Sequence, residues 1–231
     1  MSWWFKIWNS SIGTKTIMAL TGLLLALFVL VHMVGNLQIY LGPETLNAYA
    51  HFLQGLAELL WVARSILFVL VVLHIISAIR VSWLNRVARP ERYVKHEPVK
   101  VGWAGRTLIY TGIVIGIFVV YHLLHFTLGV TDPKHFALLD EHGEKHVYNM
   151  VVYGFRDPLV AGGYILATIL LGLHFWHGVS SWLQTLGLNS RRYQSIVDRI
   201  GPAVATVIMI GNISIPLTIL LRLVNPAGGG E

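Results

Sequence analysis

Thr21-Gly-Leu-Leu-Leu-Ala-Leu-Phe-Val-Leu-Val-His32-Met-Val-Gly-Asn36 is an apolar run that carries one ionisable group, His32, well inside it. No charged residue occurs between Lys15 and Glu44, a stretch of 28 residues, where about 20 are enough to cross a bilayer. An imidazole at that depth cannot reach water cheaply, so it marks a functional position by default. What His32 binds depends on which other histidines share its depth.

The chain around this run is built for lipid. Of its 231 residues 55% are hydrophobic and 12% charged, about half the charged share of a soluble domain. The composition predicts an all-α integral membrane bundle in a single domain, 1–231, with membrane lipid as its surroundings. A net charge of +6 suggests nucleic acid at first sight. The basic residues fall between the apolar runs, however, where membrane topology explains them and nucleic acid does not. There is no cysteine, which excludes disulfides, thiolate ligands, iron–sulfur clusters on this chain and covalent c-type haem. A metal held inside must rely on imidazole or oxygen. The start, MSWWFKIWNSS, lacks the pattern of a signal peptide and reads as an interfacial segment.

Five transmembrane helices are expected, at about 16–41, 58–84, 103–130, 158–186 and 200–221, because lipid-exposed backbone must satisfy its own hydrogen bonds. Glu44 to Gly55 reads as a short loop helix, Arg86 to Lys100 as a basic connector, and 131–157 as a hydrophilic loop. Pro202 is expected in the first turn of the last span and Pro216 at a kink. With the N-terminus inside and the C-terminus outside, twelve Lys and Arg fall on the inner side against five on the outer. The positive-inside rule favours that orientation. No internal repeat is read.

Six of the eleven histidines lie within these spans: His32, His74, His122, His125, His174 and His177. His32 is 17 residues past Lys15 and His122 is 16 past Arg106, both inner anchors. His74 is 16 past Glu58 and His174 is 17 past Asp157, both outer anchors. At about 1.5 Å per residue each lies about 25 Å from its own edge. Taking the anchors as about 40–45 Å apart, the two layers differ in depth by roughly 5–10 Å. The pattern is an outer pair, His32 with His122, and an inner pair, His74 with His174. Bis-imidazole ligation of a porphyrin iron needs this arrangement in a bundle core, and two haem b groups are the natural occupants. His125 and His177 each lie one turn from a member of a pair and nearly share its face, so either of each two is a candidate ligand. The remaining members become candidates for haem-propionate or quinone contacts. Lys15, Arg80 and Arg106 near the inner surface are propionate candidates, or interfacial anchors. Gly112, Gly116, Gly172 and Gly178 leave room for a flat ring or for close helix packing. The loop histidines His135, His142 and His146 alternate with acids, as in a solvated loop or a surface metal site. No carboxylate lies mid-span, and no catalytic triad or phosphate-binding loop appears, so no catalytic residue is assigned.

These residues resemble a known family: the single-chain, two-haem cytochrome b membrane anchor of succinate dehydrogenase and fumarate reductase, the succinate:quinone oxidoreductases. The resemblance rests on Ser10-Ser11-x-Gly13-x-Lys15, the TGLLLALFVLVHMVGN stretch, Leu46-Asn-Ala-Tyr-Ala-His51, Arg89-Pro-x-x-Tyr93, TGIVIGIFVVYH ending at His122, and HFWHGVSSWLQTLG starting at His174. It implies five helices holding two b haems, one above the other, with His32, His74, His122 and His174 as axial ligands. It further implies a flavoprotein subunit with FAD and an iron–sulfur subunit docked on the inner face, and a quinone, often menaquinone, as electron partner. The location it implies is a bacterial cytoplasmic membrane, with room for a higher oligomer of the complex. Some relatives carry an intramembrane acid near the fourth-helix ligand; Gly172 stands nearby here, so that role is not transferred. Two other readings compete: the cytochrome b subunit of a hydrogenase or formate dehydrogenase, and a non-redox membrane anchor or haem-handling transporter.

Overall fold

A computed structural model describes residues 10–88, 103–140, 142–185, 187 and 194–228. The interfacial reading of the first nine residues and most of the basic connector lie outside these. Ser10 caps the first helix, its hydroxyl accepting from the Gly13 N–H at 2.9 Å, which satisfies one of the donors that a helix start leaves open. Helix α1 (Ser11–Leu37) therefore begins five residues earlier than its apolar run, and a 3₁₀ turn, Gln38–Leu41, tightens its end. Gly42, at φ 103°, turns the chain in a region only glycine enters freely. Pro43 then opens α2 (Pro43–Gly55), the expected loop helix, at a position where its missing N–H costs nothing. Next come α3 (Ala57–Val87) and α4 (Trp103–His122), the latter prolonged by a π turn over Leu123–Thr127. Two short helices, α5 (Pro133–Phe136) and α6 (Val147–Arg156), precede the long α7 (Pro158–Thr185) and α8 (Gln194–Leu220). The described residues are all-helical apart from an isolated bridge, Leu139 to Lys145.

Five of these helices are long and apolar enough to cross a membrane, as expected: α1 with its 3₁₀ extension, α3, α4 with its π turn, α7 and α8. Helix α8 starts at Gln194, so Pro202 lies inside it and not in its first turn. The segment read as a hydrophilic loop, 131–157, is more than that. Tyr148, Val152 and Phe155 recur at helical spacing on α6 and are buried. They join Ile39, Leu46 and Ile219 in a core that closes one end of the bundle. Two asparagines stitch it. Asn47 of α2 accepts from the Tyr148 N–H at 2.9 Å, and Asn149 exchanges two hydrogen bonds with the Ala227 backbone at 2.8 and 3.1 Å.

Helices α1 and α3 pack as one hairpin, α4 and α7 as a second, and α7 leans on α8 and α1. A second core, with Ala26, Phe175, Val179 and Ile208, holds α1, α7 and α8 together. Burial is uneven among the spans. A third of the most apolar stretch of α7 is buried (33%), but none of that of α3 and only 6% of that of α4. Helices α3 and α4 each carry one histidine of an expected pair.

Candidate functional site

The structure brings the four histidines together in the two couples expected. His32 on α1 faces His122 at the end of α4, ring centroids 5.8 Å apart and planes at 90°. His74 on α3 faces His174 on α7, centroids 6.4 Å apart and planes at 68°. A metal–imidazole bond is about 2 Å and a ring centre lies about 1 Å behind its nitrogen. Two imidazoles across one metal ion therefore have centroids about 6 Å apart. Both couples have that separation. Such separations are also those of ordinary ring–ring contacts, so the two couples are candidate ligand pairs.

The His74–His174 couple, called inner after the orientation expected from the sequence, is held by a repeated device. Thr21 Oγ1 lies 3.2 Å from His74 Nδ1, and Thr111 Oγ1 lies 3.2 Å from His174 Nδ1. Each threonine spends its own proton on its helix: Thr21 donates to the Ile17 carbonyl at 2.8 Å, Thr111 to the Leu108 carbonyl at 3.0 Å. With its proton directed to its own helix, each hydroxyl oxygen is placed to accept from Nδ1–H, the tautomer that keeps the lone pair on Nε2. The glycine after each threonine lies against the ring, tightly at Gly22 and at ordinary contact at Gly112. A Cβ on Gly22 would stand 3.1 Å from His74 Cε1, and one on Gly112 3.5 Å from His174 Cε1.

The outer couple is built differently. His122 Nδ1 lies 3.4 Å from Tyr164 Oη, which also stands 3.1 Å from His125 Nδ1. The His32 ring stacks on Phe28 at 5.4 Å and, among the described residues, makes no hydrogen bond. It is exposed although it sits mid-span. A bare imidazole in hydrocarbon is costly unless a partner covers it.

The vertical spacing corrects the expectation of 5–10 Å. His74 meets α1 at Thr21, eleven residues below His32 (32 − 21), and His174 meets α4 at Thr111, eleven below His122 (122 − 111). Eleven residues are about 16 Å along a helix. The charged anchors must then lie about 34 Å apart, near the thickness of the hydrocarbon core and not of the whole bilayer. The same count exposes a repeat where none was expected. Thr21–His32 (TGLLLALFVLVH) and Thr111–His122 (TGIVIGIFVVYH) match at Thr, Gly, Phe, Val and His. The matched phenylalanines, Phe28 and Phe118, each pack on the histidine one turn further along.

The other candidates fall as follows. His125 is buried, stacked on Phe126 at 3.9 Å and against Gly154. His177 is half-buried one turn inward of His174. Lys15 lies six residues below Thr21, and Arg80 six residues beyond His74 on α3 (80 − 74). The Thr21–His74 contact therefore sets both about 9 Å inward of the inner couple. Arg106 belongs to α4 five residues below Thr111, but its side chain lies outside the described residues. Asn36, one turn beyond His32 and not among those candidates, donates its side-chain N–H to the His32 carbonyl at 2.8 Å. Of the four glycines, Gly112 faces an imidazole, Gly172 is pressed by Met209 of α8, and Gly116 and Gly178 face open space. Ser77 Oγ, one turn inward of His74, and Trp182 Nε1 are buried without a hydrogen-bond partner among the described residues.

The loop histidines do not converge. His135 pairs with Asp132 at 2.7 Å, and His146 caps α6 by accepting from the Asn149 N–H at 3.2 Å. A cluster forms instead around His51 of α2, whose donor atoms with Asp140 and Glu144 lie within 4.8 Å of one another. His51 Nδ1 meets the Glu144 carboxylate at 2.5 Å and Nε2 meets the Lys145 carbonyl at 3.0 Å. The cluster ties α2 to the loop, and its three side chains offer one nitrogen and two carboxylates close enough together to hold a metal ion. Desolvation works against the Asp140 carboxylate, but N–H bonds from Glu144 and His142 and the charges of His51 and His142 hold its pKa below the usual 3.8. A depressed carboxyl stabilises the fold above its unfolded value, and that stabilisation is lost as pH falls through the folded one. Amide exchange at His142 and Glu144, corrected for intrinsic rate, is expected to stay slow above about pH 4 and to quicken below it. Asp140→Asn is expected to abolish that pH dependence.

Comparison with known proteins finds no match, whether with family models, curated proteins or solved structures. What the chain does must be read from its own geometry.

Proposed function

We propose that this chain is the two-haem cytochrome b membrane anchor of a succinate:quinone oxidoreductase, a succinate dehydrogenase or fumarate reductase. The observation that carries the reading is the pair of imidazole couples at two depths, each spaced for one iron. Three further features fit a porphyrin. Thr21 and Thr111 leave Nε2 of the inner histidines free to ligate. His32 is exposed mid-span and its ring makes no hydrogen bond among the described residues. Ser77 Oγ is a buried donor, one turn inward of His74, that lacks an acceptor among the described residues. His32 and His122 would hold the outer haem, His74 and His174 the inner.

Bound there, haem b supplies a six-coordinate iron that changes oxidation state without binding oxygen. The residues of the chain do the rest. Its apolar helices exclude water from both rings, and Lys15 and Arg80 form a basic rim inward of the inner couple, suited to propionates. That rim would face the iron–sulfur and flavoprotein subunits, with the N-terminus on the inner side of a bacterial cytoplasmic membrane. Electrons would run between those subunits and a membrane quinone. An apolar groove of about 360 Å3 between α4 and α7, lined in part by Phe118, Tyr121, Gly163 and Ala167, opens beside the outer couple. It suits a prenyl chain entering from lipid.

The test is the pigment of the purified complex. Two low-spin b haems per chain are expected, with a flavin-bearing and an iron–sulfur partner. Absence of b haem would leave a non-redox anchor, and a nickel or molybdenum partner in place of flavin would move the chain to a hydrogenase or formate dehydrogenase.

A further inference from the structure

We infer that Thr21 and Thr111 are positioning residues for the inner haem, and that their hydroxyls set its reduction potential separately from that of the outer one. This rests on the two-haem reading and goes beyond it. The evidence is a duplicated geometry. In each hairpin a Thr-Gly step on the first helix receives the imidazole of the second at the same distance, 3.2 Å from hydroxyl to Nδ1. Each threonine has two carbonyls of the preceding turn within reach of its proton, and a proton given to either leaves the oxygen to accept from the ring. Two unrelated packing contacts would not be expected to reproduce donor, acceptor, glycine and spacing together.

The chemistry follows from that bond. When Nδ1–H donates to a fixed oxygen, the ring gains imidazolate character, and Nε2 becomes a stronger donor to the metal. Stronger donation stabilises ferric over ferrous iron and lowers the potential. Both ligands of the inner couple have this acceptor. In the outer couple His32 has none among the described residues, and His122 has a 3.4 Å contact to a tyrosine it shares with His125. The chain thus places a strong lever on one haem and withholds it from the other.

Two backbone groups compete for the same ring edges. The Met18 carbonyl lies beside His74 and the Leu108 carbonyl beside His174, one turn before each threonine. They are the alternative acceptors if the hydroxyl is removed, and the experiment must separate the two.

The experiment is a redox titration of both haems in the intact complex for wild type, Thr21→Val, Thr111→Val and Thr21→Ser, with ferric EPR of each. The inner haem is identified as the one lost in His74→Ala. Each valine is expected to raise the potential of the inner haem alone. The reduction equilibrium should move roughly tenfold, about 59 mV for one electron, with a changed ferric EPR signal and the outer haem unmoved. Serine at position 21 keeps the wild-type value, because it keeps the hydroxyl. Loss of the inner haem in Thr21→Val with retention in Thr21→Ser supports the inference equally. An unmoved inner potential in both valine variants assigns Nδ1 to the carbonyls of Met18 and Leu108 and overturns it. So does an equal shift of both haems, or loss of the inner haem in the serine variant, since either makes the effect one of packing. A wild type without b haem fails earlier and removes the functional reading itself.

Discussion

On the proposed two-haem reading, His122→Ala is expected to remove one of the two b haems and halve the reduced α-band, while His125→Ala leaves both in place. The two histidines are three residues apart on one apolar helix, and in a regular α-helix they would present nearly the same face. The structure separates them. The π turn over Leu123–Thr127 begins immediately after His122, and the wider turn carries His125 away from the partner ring. His122 faces His32 at 5.8 Å, whereas His125 is buried against Phe126 with its Nδ1 on Tyr164. Loss of both haems in His122→Ala would mean that the couples are not independent. Loss of a haem in His125→Ala, with His122→Ala unchanged, would reverse the assignment. Reduced-minus-oxidised spectra with haem extraction decide between them.

Gly201→Ala is expected to destabilise the bundle by about 1–3 kcal/mol, a large effect for one added methyl. A Cβ at this position on α8 would stand 2.4 Å from the backbone oxygen of Trp176 and 2.6 Å from Ser180 Oγ on α7. Ser180 Oγ itself bonds the Trp176 carbonyl at 3.3 Å. A side chain can rotate away, but a helical carbonyl cannot, so α7 and α8 must part at this contact. Helix α7 also carries His174, so the inner haem is expected to be lost at lower temperature than the outer. Gly178→Ala is the control: nothing lies within 4 Å of its Cβ, and the change should stay within about 0.5 kcal/mol. Thermal unfolding in detergent, followed by the absorbance of each haem, reads both effects. Equal midpoints for the two variants would remove the packing argument.

A good part of this molecule was legible before any coordinates. Charge-free runs of membrane length must be helical in lipid, and the five helices long enough to span follow from that. The pairing of His32 with His122 and His74 with His174 was also legible, since rise per residue converts sequence distance to depth. The depth difference was misjudged because the charged anchors were set at the outer limits of the bilayer. The structure puts the couples about 16 Å apart, a spacing already written in the two Thr-to-His intervals of eleven residues.

Composition and period settled what the chain is made of: apolar helices, no thiolate, and imidazoles too deep for water. They could not say which way each ring turns. That depends on helix rotation, and three local events decided it. A π turn separated His122 from His125, threonine hydroxyls on neighbouring helices took the Nδ1 edges of His74 and His174, and an amphipathic helix within the polar loop folded back to close one end of the bundle. Hydropathy is blind to the first two, which arise from contacts between residues distant in the chain or from a shift of less than one helical turn; the third was written in the spacing of Tyr148, Val152 and Phe155.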